Sequence, residues 1–213
     1  MDMIIDLMPQ MLEGLMVTLK VFVLTLVLSL PLGVIVALGR TSKSKILQEL
    51  TGVYVLVMRG TPLLLQLIFI FFGLPIVGIS IDRFPGALLA FVLNYGAYFA
   101  EIFRAGILSI DKGQYEGAEV LGLSQKDVFF RIIMPQGLKR ILPPVANEVI
   151  TLVKDTSLIY VVGLDELLKI GKIATNRFGS LVPLVLVGVI YLVLIGILTK
   201  VLSRVEKKYS YYQ

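Results

Sequence analysis

The chain has 213 residues, 57% of them hydrophobic and only 16% charged, with a net charge of +5 and no cysteine or histidine. That apolar share exceeds the roughly half found in soluble domains. The missing residue types exclude disulfides, thiolate or imidazole metal sites, and nucleophilic catalysis built on Cys or His.

Residues 1–13 carry Asp2, Asp6 and Glu13 but no Lys or Arg, unlike the positive start of a secretory signal. Charge-free runs follow at 21–39, 60–81, 84–100 and 178–199. A bilayer core takes about 20 helical residues to cross, and backbone facing lipid must satisfy itself, as a helix does. The runs lack the period-two alternation of a membrane barrel. The expectation is an all-α membrane protein forming a single transmembrane domain over residues 1–213, with five transmembrane helices at 14–39, 46–75, 84–109, 137–164 and 182–203.

In the first span, Lys20 lies near one end and can snorkel. The spacings Gly33-x3-Ala37 and, in the last span, Gly188-x7-Gly196 are of the kind found at helix contacts. The second span is interrupted by Arg59-Gly60-Thr61-Pro62. Pro62 removes a backbone donor, and Thr61 is placed to cap a following half-helix. Such a half-helix start suits an anion, for example a substrate carboxylate. The alternative is a packed kink with Arg59 paired to a carboxylate.

In the third span Asn94, Tyr98, Glu101 and Arg104 follow helical spacing and share a face. That face either lines a cavity or holds an internal pair of Glu101 with Arg104 or Arg59. The polar loop 111–136 comes next. Gly122 permits a tight turn between two short helical pieces, and Pro135 suits the first turn of the next helix. In the fourth span Lys154-Asp155-Thr156-Ser157 follows Glu148 by about two turns. Adjacent Lys and Asp on a helix point about 100° apart, so one of them faces a cavity or a different helix, unless the cluster forms a fixed interhelical salt bridge. Ionisable groups at membrane depth are functional candidates by default. Residues 165–177 form an amphipathic segment, either an interfacial helix or part of an outer gate or docking surface.

Lys and Arg divide twelve to four between alternate loops. With five spans, the positive-inside rule places the N-terminus outside, the C-terminus in the cytoplasm and loop 111–136 on the cytoplasmic side. This sorting also argues against nucleic acid as partner. The chain contains no Gly-x4-Gly-Lys-Ser/Thr, so it has no phosphate-cradling loop of that type and is expected not to be an ATPase.

Residues 116–135 read Glu-Gly-Ala-Glu-Val-Leu-Gly-Leu-Ser-Gln-Lys-Asp-Val-Phe-Phe-Arg-Ile-Ile-Met-Pro. This resembles the EAA loop of the permease subunits of ABC importers, in which Glu-Ala-Ala, a Gly and a terminal Ile-x-Leu-Pro keep fixed offsets. Glu116, Ala118, Gly122, Ile132 and Pro135 hold that spacing, while Gly117 and Met134 replace Ala and Leu. Arg59-Gly60-Thr61-Pro62-Leu63-Leu64-Leu65-Gln66, Asn94-Tyr95-Gly96-Ala97-Tyr98, Ala100-Glu101-Ile102-Phe103-Arg104-Ala105-Gly106 and Lys154-Asp155-Thr156-Ser157-Leu158 resemble the polar amino acid branch of that family.

The resemblance implies an ABC importer permease-like fold in a bacterial cytoplasmic (inner) membrane. It implies that Glu116, Gly117, Ala118, Gly122, Leu123, Ile132 and Pro135 couple to an ATPase. It further implies two copies of a cytoplasmic ABC ATPase that bind ATP and Mg, a second and identical permease subunit, and an external amino acid binding protein. No cofactor is expected in the chain itself. The expected substrate contacts are Arg59, Gly60, Thr61, Asn94, Tyr98, Glu101, Asp155 and Ser157. If Arg59 or the half-helix start takes the substrate carboxylate, Glu101 and Asp155 remain for two cations. That count favours arginine, lysine or histidine, unless Arg104 or Lys154 consumes one of the carboxylates. The rival reading is an ion-coupled secondary carrier or channel with Glu101 and Asp155 as relay; an intramembrane hydrolase using the same two carboxylates is the more distant alternative.

Overall fold

The computed structural model describes residues 2–209. Helix α1 (Asp2–Arg40) runs 39 residues without a break, despite Pro9 and Pro31. A tight turn leads to α2 (Lys45–Gly60), which stops at Thr61–Pro62. The short α3 (Leu63–Ile68) continues as a π-helical turn at Phe69–Gly73 and a 3-10 turn at Leu74–Val77, closed by Gly78 at φ 84°. Helix α4 (Arg83–Leu108) is followed by α5 (Lys112–Val120) and the single turn α6 (Gln125–Asp127). A π-helical stretch, Val128–Ile133, leads into α7 (Met134–Asp155), which tightens to 3-10 over Thr156–Val162. Helices α8 (Leu167–Phe178) and α9 (Val182–Tyr209) complete the chain.

Helix α4 is the central post. It packs along α1 over the largest helix–helix interface and also touches α2, α3 and α7. The i, i+4 register of Phe91, Tyr95, Phe99 and Phe103 stacks four rings at centroid spacings of 6.3, 6.3 and 6.2 Å. Phe91 and Phe99 are fully buried, with Leu67 from α3 and Leu152 from α7 in the same cluster. Gly33 belongs to the α1–α4 contact: a Cβ there would stand 2.7 Å from Phe99 Cβ and 3.2 Å from the Ala100 amide nitrogen. The small-residue spacing in α1 therefore serves packing within the chain. Gly188 and Gly196, by contrast, face open space.

The five-crossing expectation is corrected. Three of the described helices, α1, α4 and α9, are long and apolar enough to cross a membrane. A fourth crossing exists only if α2 and residues 63–77, bent by 102° at their junction, count as one span. The expected span at 137–164 fails because α7 carries Lys139, Arg140, Glu148, Lys154 and Asp155 within its 22 residues. It then changes helix type at Thr156. The placement of the termini on opposite sides rested on an odd count of five, so it falls with that count, as does the side given to loop 111–136.

The amphipathic segment is α8, and its apolar face is covered by protein. Leu167, Gly171 and Ala174 are buried between α1 and α9. Its start is anchored by Glu166, a fully buried side chain. The carboxylate accepts hydrogen bonds from the Leu168 and Lys169 amides at 2.7 and 2.6 Å and from the Tyr191 hydroxyl at 3.4 Å. Such a cap satisfies donors that a helix start leaves free.

Burial pushes the Glu166 carboxyl up from an ordinary 4.5 to about 7 against the pull of those donors. Between these values the folded chain holds a proton that the unfolded chain releases, so stability falls as pH rises through the window. Purified protein should therefore lose thermal stability between about pH 5 and pH 8. Glu166→Gln should remove that part of the slope; an identical pH dependence in both proteins would count against the assignment.

Candidate functional site

The break between α2 and α3 is held from the side. Gln66 Nε2 donates to the Met58 carbonyl at 2.9 Å, to the Thr61 carbonyl at 3.2 Å and to Thr61 Oγ1 at 2.8 Å. Asn94 Nδ2 donates to the same Met58 carbonyl at 2.9 Å and to Gln66 Oε1 at 3.1 Å. Both amides take over the Met58 carbonyl, which α2 leaves open because Pro62 lacks the N–H it would accept, and Gln66 also reaches the Thr61 carbonyl just past the end of α2. Thr61 does not cap α3, as its sequence position suggested. Its hydroxyl donates back to the Val57 carbonyl at 2.8 Å, and α3 has no side-chain cap.

Around this break three open cavities meet. The first, 560 Å³, lies between the break, α4 and α7 and is lined by Arg59, Gly60, Thr61, Asn94, Tyr95, Tyr98, Glu148, Thr151 and Asp155, among others. The second, 460 Å³, continues past Arg59, Tyr98 and Glu148 to Glu101, Ser109 and Arg140. The third, 530 Å³, opens between Arg40, Gly52, Arg59, Tyr98 and Glu101. Arg59 and Tyr98 line all three cavities. The Arg59 guanidinium carbon stands 5.1 Å from the centre of the Tyr98 ring, a cation–π arrangement.

Six of the eight expected substrate contacts thus share the first cavity: Arg59, Gly60, Thr61, Asn94, Tyr98 and Asp155. Glu101 lines the other two and is already engaged. Arg104 grips it through Nε at 2.9 Å and a terminal nitrogen at 2.8 Å, Arg40 Nε lies at 3.2 Å, and an Arg59 terminal nitrogen lies at 3.9 Å. Arg104 therefore does consume one of the two carboxylates in the cation count. Ser157 lines none of the three cavities; its hydroxyl donates to the Lys154 carbonyl at 2.8 Å. Asp155 accepts from the Tyr95 hydroxyl at 2.7 Å, whereas its neighbour Lys154 points to the exposed side.

Glu148, Thr151, Tyr95 and Gln66 are the residues that sequence reading left out of the site. Glu148, Thr151 and Asp155 stand at i, i+3 and i+7 on α7, so one helix face presents all three to the cavity. That spacing was the available signal. Arg59 thus faces two carboxylates across a single space. Such a cavity can hold a small molecule carrying both charges, with its anion on the α2 side and its cations on the α7 side.

The expected ATPase-coupling residues gather elsewhere. Glu116, Gly117 and Ala118 lie in α5, and the Asp111 side chain caps its start by accepting from the Gly113 amide. Gly122 turns the chain at φ 68°, a left-handed conformation that favours glycine. Leu123 and Phe129 line a 610 Å³ groove with Tyr115, Glu119, Gln125 and Val128. Ile132 lies in the π-helical stretch and Pro135 in the first turn of α7. Val120 and Leu121 are 88% and 76% exposed, large apolar side chains that no described residue covers.

Residues 29–208 match the family described as binding-protein-dependent transport system inner membrane component. The arginine transport system permease protein ArtQ of Bacillus subtilis (strain 168) is 40% identical over 202 residues, covering 94% of this chain and 92% of that protein. The glutamine transport system permease protein GlnP of Escherichia coli (strain K12) is 38% identical over 203 residues, covering 94% and 93%. A crystal structure of an amino acid ABC transporter with histidines superposes with a TM-score of 0.90 at 33% identity, covering 96% of each chain.

Gln66→Leu would leave the Thr61 carbonyl and one Asn94 donor without their Gln66 partner, and would leave the Met58 carbonyl to Asn94 alone. A fully buried group left unsatisfied costs about 1–3 kcal/mol; these are part-buried, so the cost falls toward the lower end. Thermal unfolding in detergent should shift down accordingly; an unchanged midpoint would count against the clamp.

Proposed function

The chain belongs to the binding-protein-dependent transport system inner membrane component family, and on that premise we propose how its cavities and its exposed loop divide the work of transport. It is a multi-pass permease, the transmembrane subunit of an ABC-type polar amino acid importer, and does not itself hydrolyse ATP. Family identity implies a separate ATPase and a substrate-binding protein. In the complex that we propose, two such ATPases serve a pair of identical permeases.

The observation that carries the reading is the opposition of charges across the first cavity: Arg59 on one wall, Glu148 and Asp155 on the other. A free amino acid carries a carboxylate and an ammonium on one carbon. Arg59 suits the carboxylate, since guanidinium binds carboxylates in a bidentate fork. Two carboxylates on α7 suit the α-ammonium and a cationic side chain, which favours a basic amino acid such as arginine. Glu148 thereby takes the role expected of Glu101. Tyr98 closes one side of the space with its ring, and Tyr95 orients Asp155 through their hydrogen bond. Gly60 and Thr61 form the wall at the break together with Pro62, Leu63 and Leu64.

The loop 111–136 is the coupling element. Helix α5 presents exposed Val120 and Leu121 beside the groove walled by Tyr115 and Phe129. An ATPase gripping this surface moves α7 directly, because the π-helical stretch passes without a break into that helix. The side chains that face the cavity then shift with it.

Glu148→Gln and Asp155→Asn in the assembled complex should each weaken arginine binding about 10- to 100-fold, the range for losing a hydrogen bond to a charged group. Equilibrium binding of labelled arginine to the detergent-solubilised complex reads this. Unchanged affinity in both variants would remove α7 from the site. Separately, Gly122→Val, strained at positive φ, should reduce co-purification of the ATPase and transport-coupled hydrolysis while leaving arginine binding within about twofold.

A further inference from the structure

Resting on the reading of Arg59 as the receptor for the substrate carboxylate, we infer that Glu101 is a positioning residue: it parks the Arg59 guanidinium at the junction of the cavities until a substrate carboxylate takes it. Three guanidiniums from three helices converge on this one carboxylate: Arg40 from the end of α1, Arg59 from the end of α2 and Arg104 from α4 itself. They are not held equally. Arg104 makes a two-pronged contact at 2.9 and 2.8 Å, and Arg40 a hydrogen bond at 3.2 Å. Arg59 stands at 3.9 Å, an ion pair without a hydrogen bond, and its side chain is 42% exposed against 27% and 29% for the other two.

One negative charge among three positive ones leaves a surplus, and Arg59 is the member least committed to the cluster. Its second tether, the Tyr98 ring at 5.1 Å, holds a cation without fixing its direction. Arg59 also borders every cavity of the site. A substrate carboxylate offering a two-pronged contact displaces a 3.9 Å ion pair, whereas it would not displace the contact between Arg104 and Glu101. Glu101 thus competes with the substrate for one guanidinium while Arg40 and Arg104 keep it in place. It sets carboxylate affinity without touching the substrate.

The test compares L-arginine with L-argininamide, and L-glutamine with L-glutaminamide, on the full permease–ATPase complex; each amide lacks the carboxylate. In Glu101→Gln the affinity ratio of acid to amide should rise at least threefold, because the competitor for Arg59 has lost its charge. Glu101→Asp, which keeps the charge but draws it back by one methylene, should give a smaller rise, and it carries the test if the Gln variant fails to assemble. Combining either variant with Arg59→Met should abolish the rise. A ratio unchanged in the Glu101 variants, or a rise that persists in the Arg59→Met background, overturns the inference while leaving the carboxylate site standing. Arg59→Met alone leaving the ratio unchanged, or no binding by either pair, overturns the carboxylate site itself, and this inference with it.

Discussion

A helix interrupted among apolar neighbours must find partners for the carbonyls that it abandons, and this chain meets that demand with two amides. Gln66, one turn beyond the break, and Asn94, from the central post, converge on Met58. The rest of the site follows from this clamp. It fixes the 102° bend between α2 and α3. The bend ends α2 just after Arg59, whose side chain borders the cavity that α4 and α7 also line. Loss of water as an alternative partner is what makes such a clamp decisive in apolar surroundings.

The charges in the interior obey the same economy. Glu101 is held by hydrogen bonds from both Arg40 and Arg104. Asp155 is tied by the Tyr95 hydroxyl, and Glu166 by the start of α8 and by Tyr191. Among these acidic and basic groups Arg59 and Glu148 are the least engaged: Arg59 holds one long ion pair and a ring, and Glu148 makes no hydrogen bond among the described residues. They face the same cavity. A polar substrate entering that space meets groups whose partners are weak, so desolvating the site costs less than disrupting the clamped ones.

Much of the cavity lining was legible in the sequence because its chemistry is local. Arg-Gly-Thr-Pro announces a break, and Asn94, Tyr98 and Glu101 announce a polar helix face; six of the eight residues expected at the substrate line one cavity. What was not legible depended on direction and distance. Nothing in the spacing of Glu101 tells that Arg40, sixty-one residues earlier, reaches it. Thr61 has the right position for a cap, but its hydroxyl turns back to Val57 because the preceding turn offers a nearer acceptor. Ser157 turns in the same way to Lys154. Glu148 and Thr151 were readable as one face with Asp155, but only once α7 was known to turn that face inward. The crossing number failed for a related reason: hydropathy counts apolar residues along a run, and α7 mixes a charged face with an apolar one.

The two walls of the first cavity have different obligations. On α4, Asn94 secures the break and the neighbouring aromatic ladder packs the core, so exchange of these residues disturbs the architecture itself. On α7, Glu148 and Thr151 face the cavity and hold nothing else in place by hydrogen bonds among the described residues. Divergence toward a new cargo is therefore cheapest on α7. A lineage can retune charge and size at those positions while the bend, the post and the coupling loop stay untouched, and one scaffold can give rise to carriers of chemically distinct solutes.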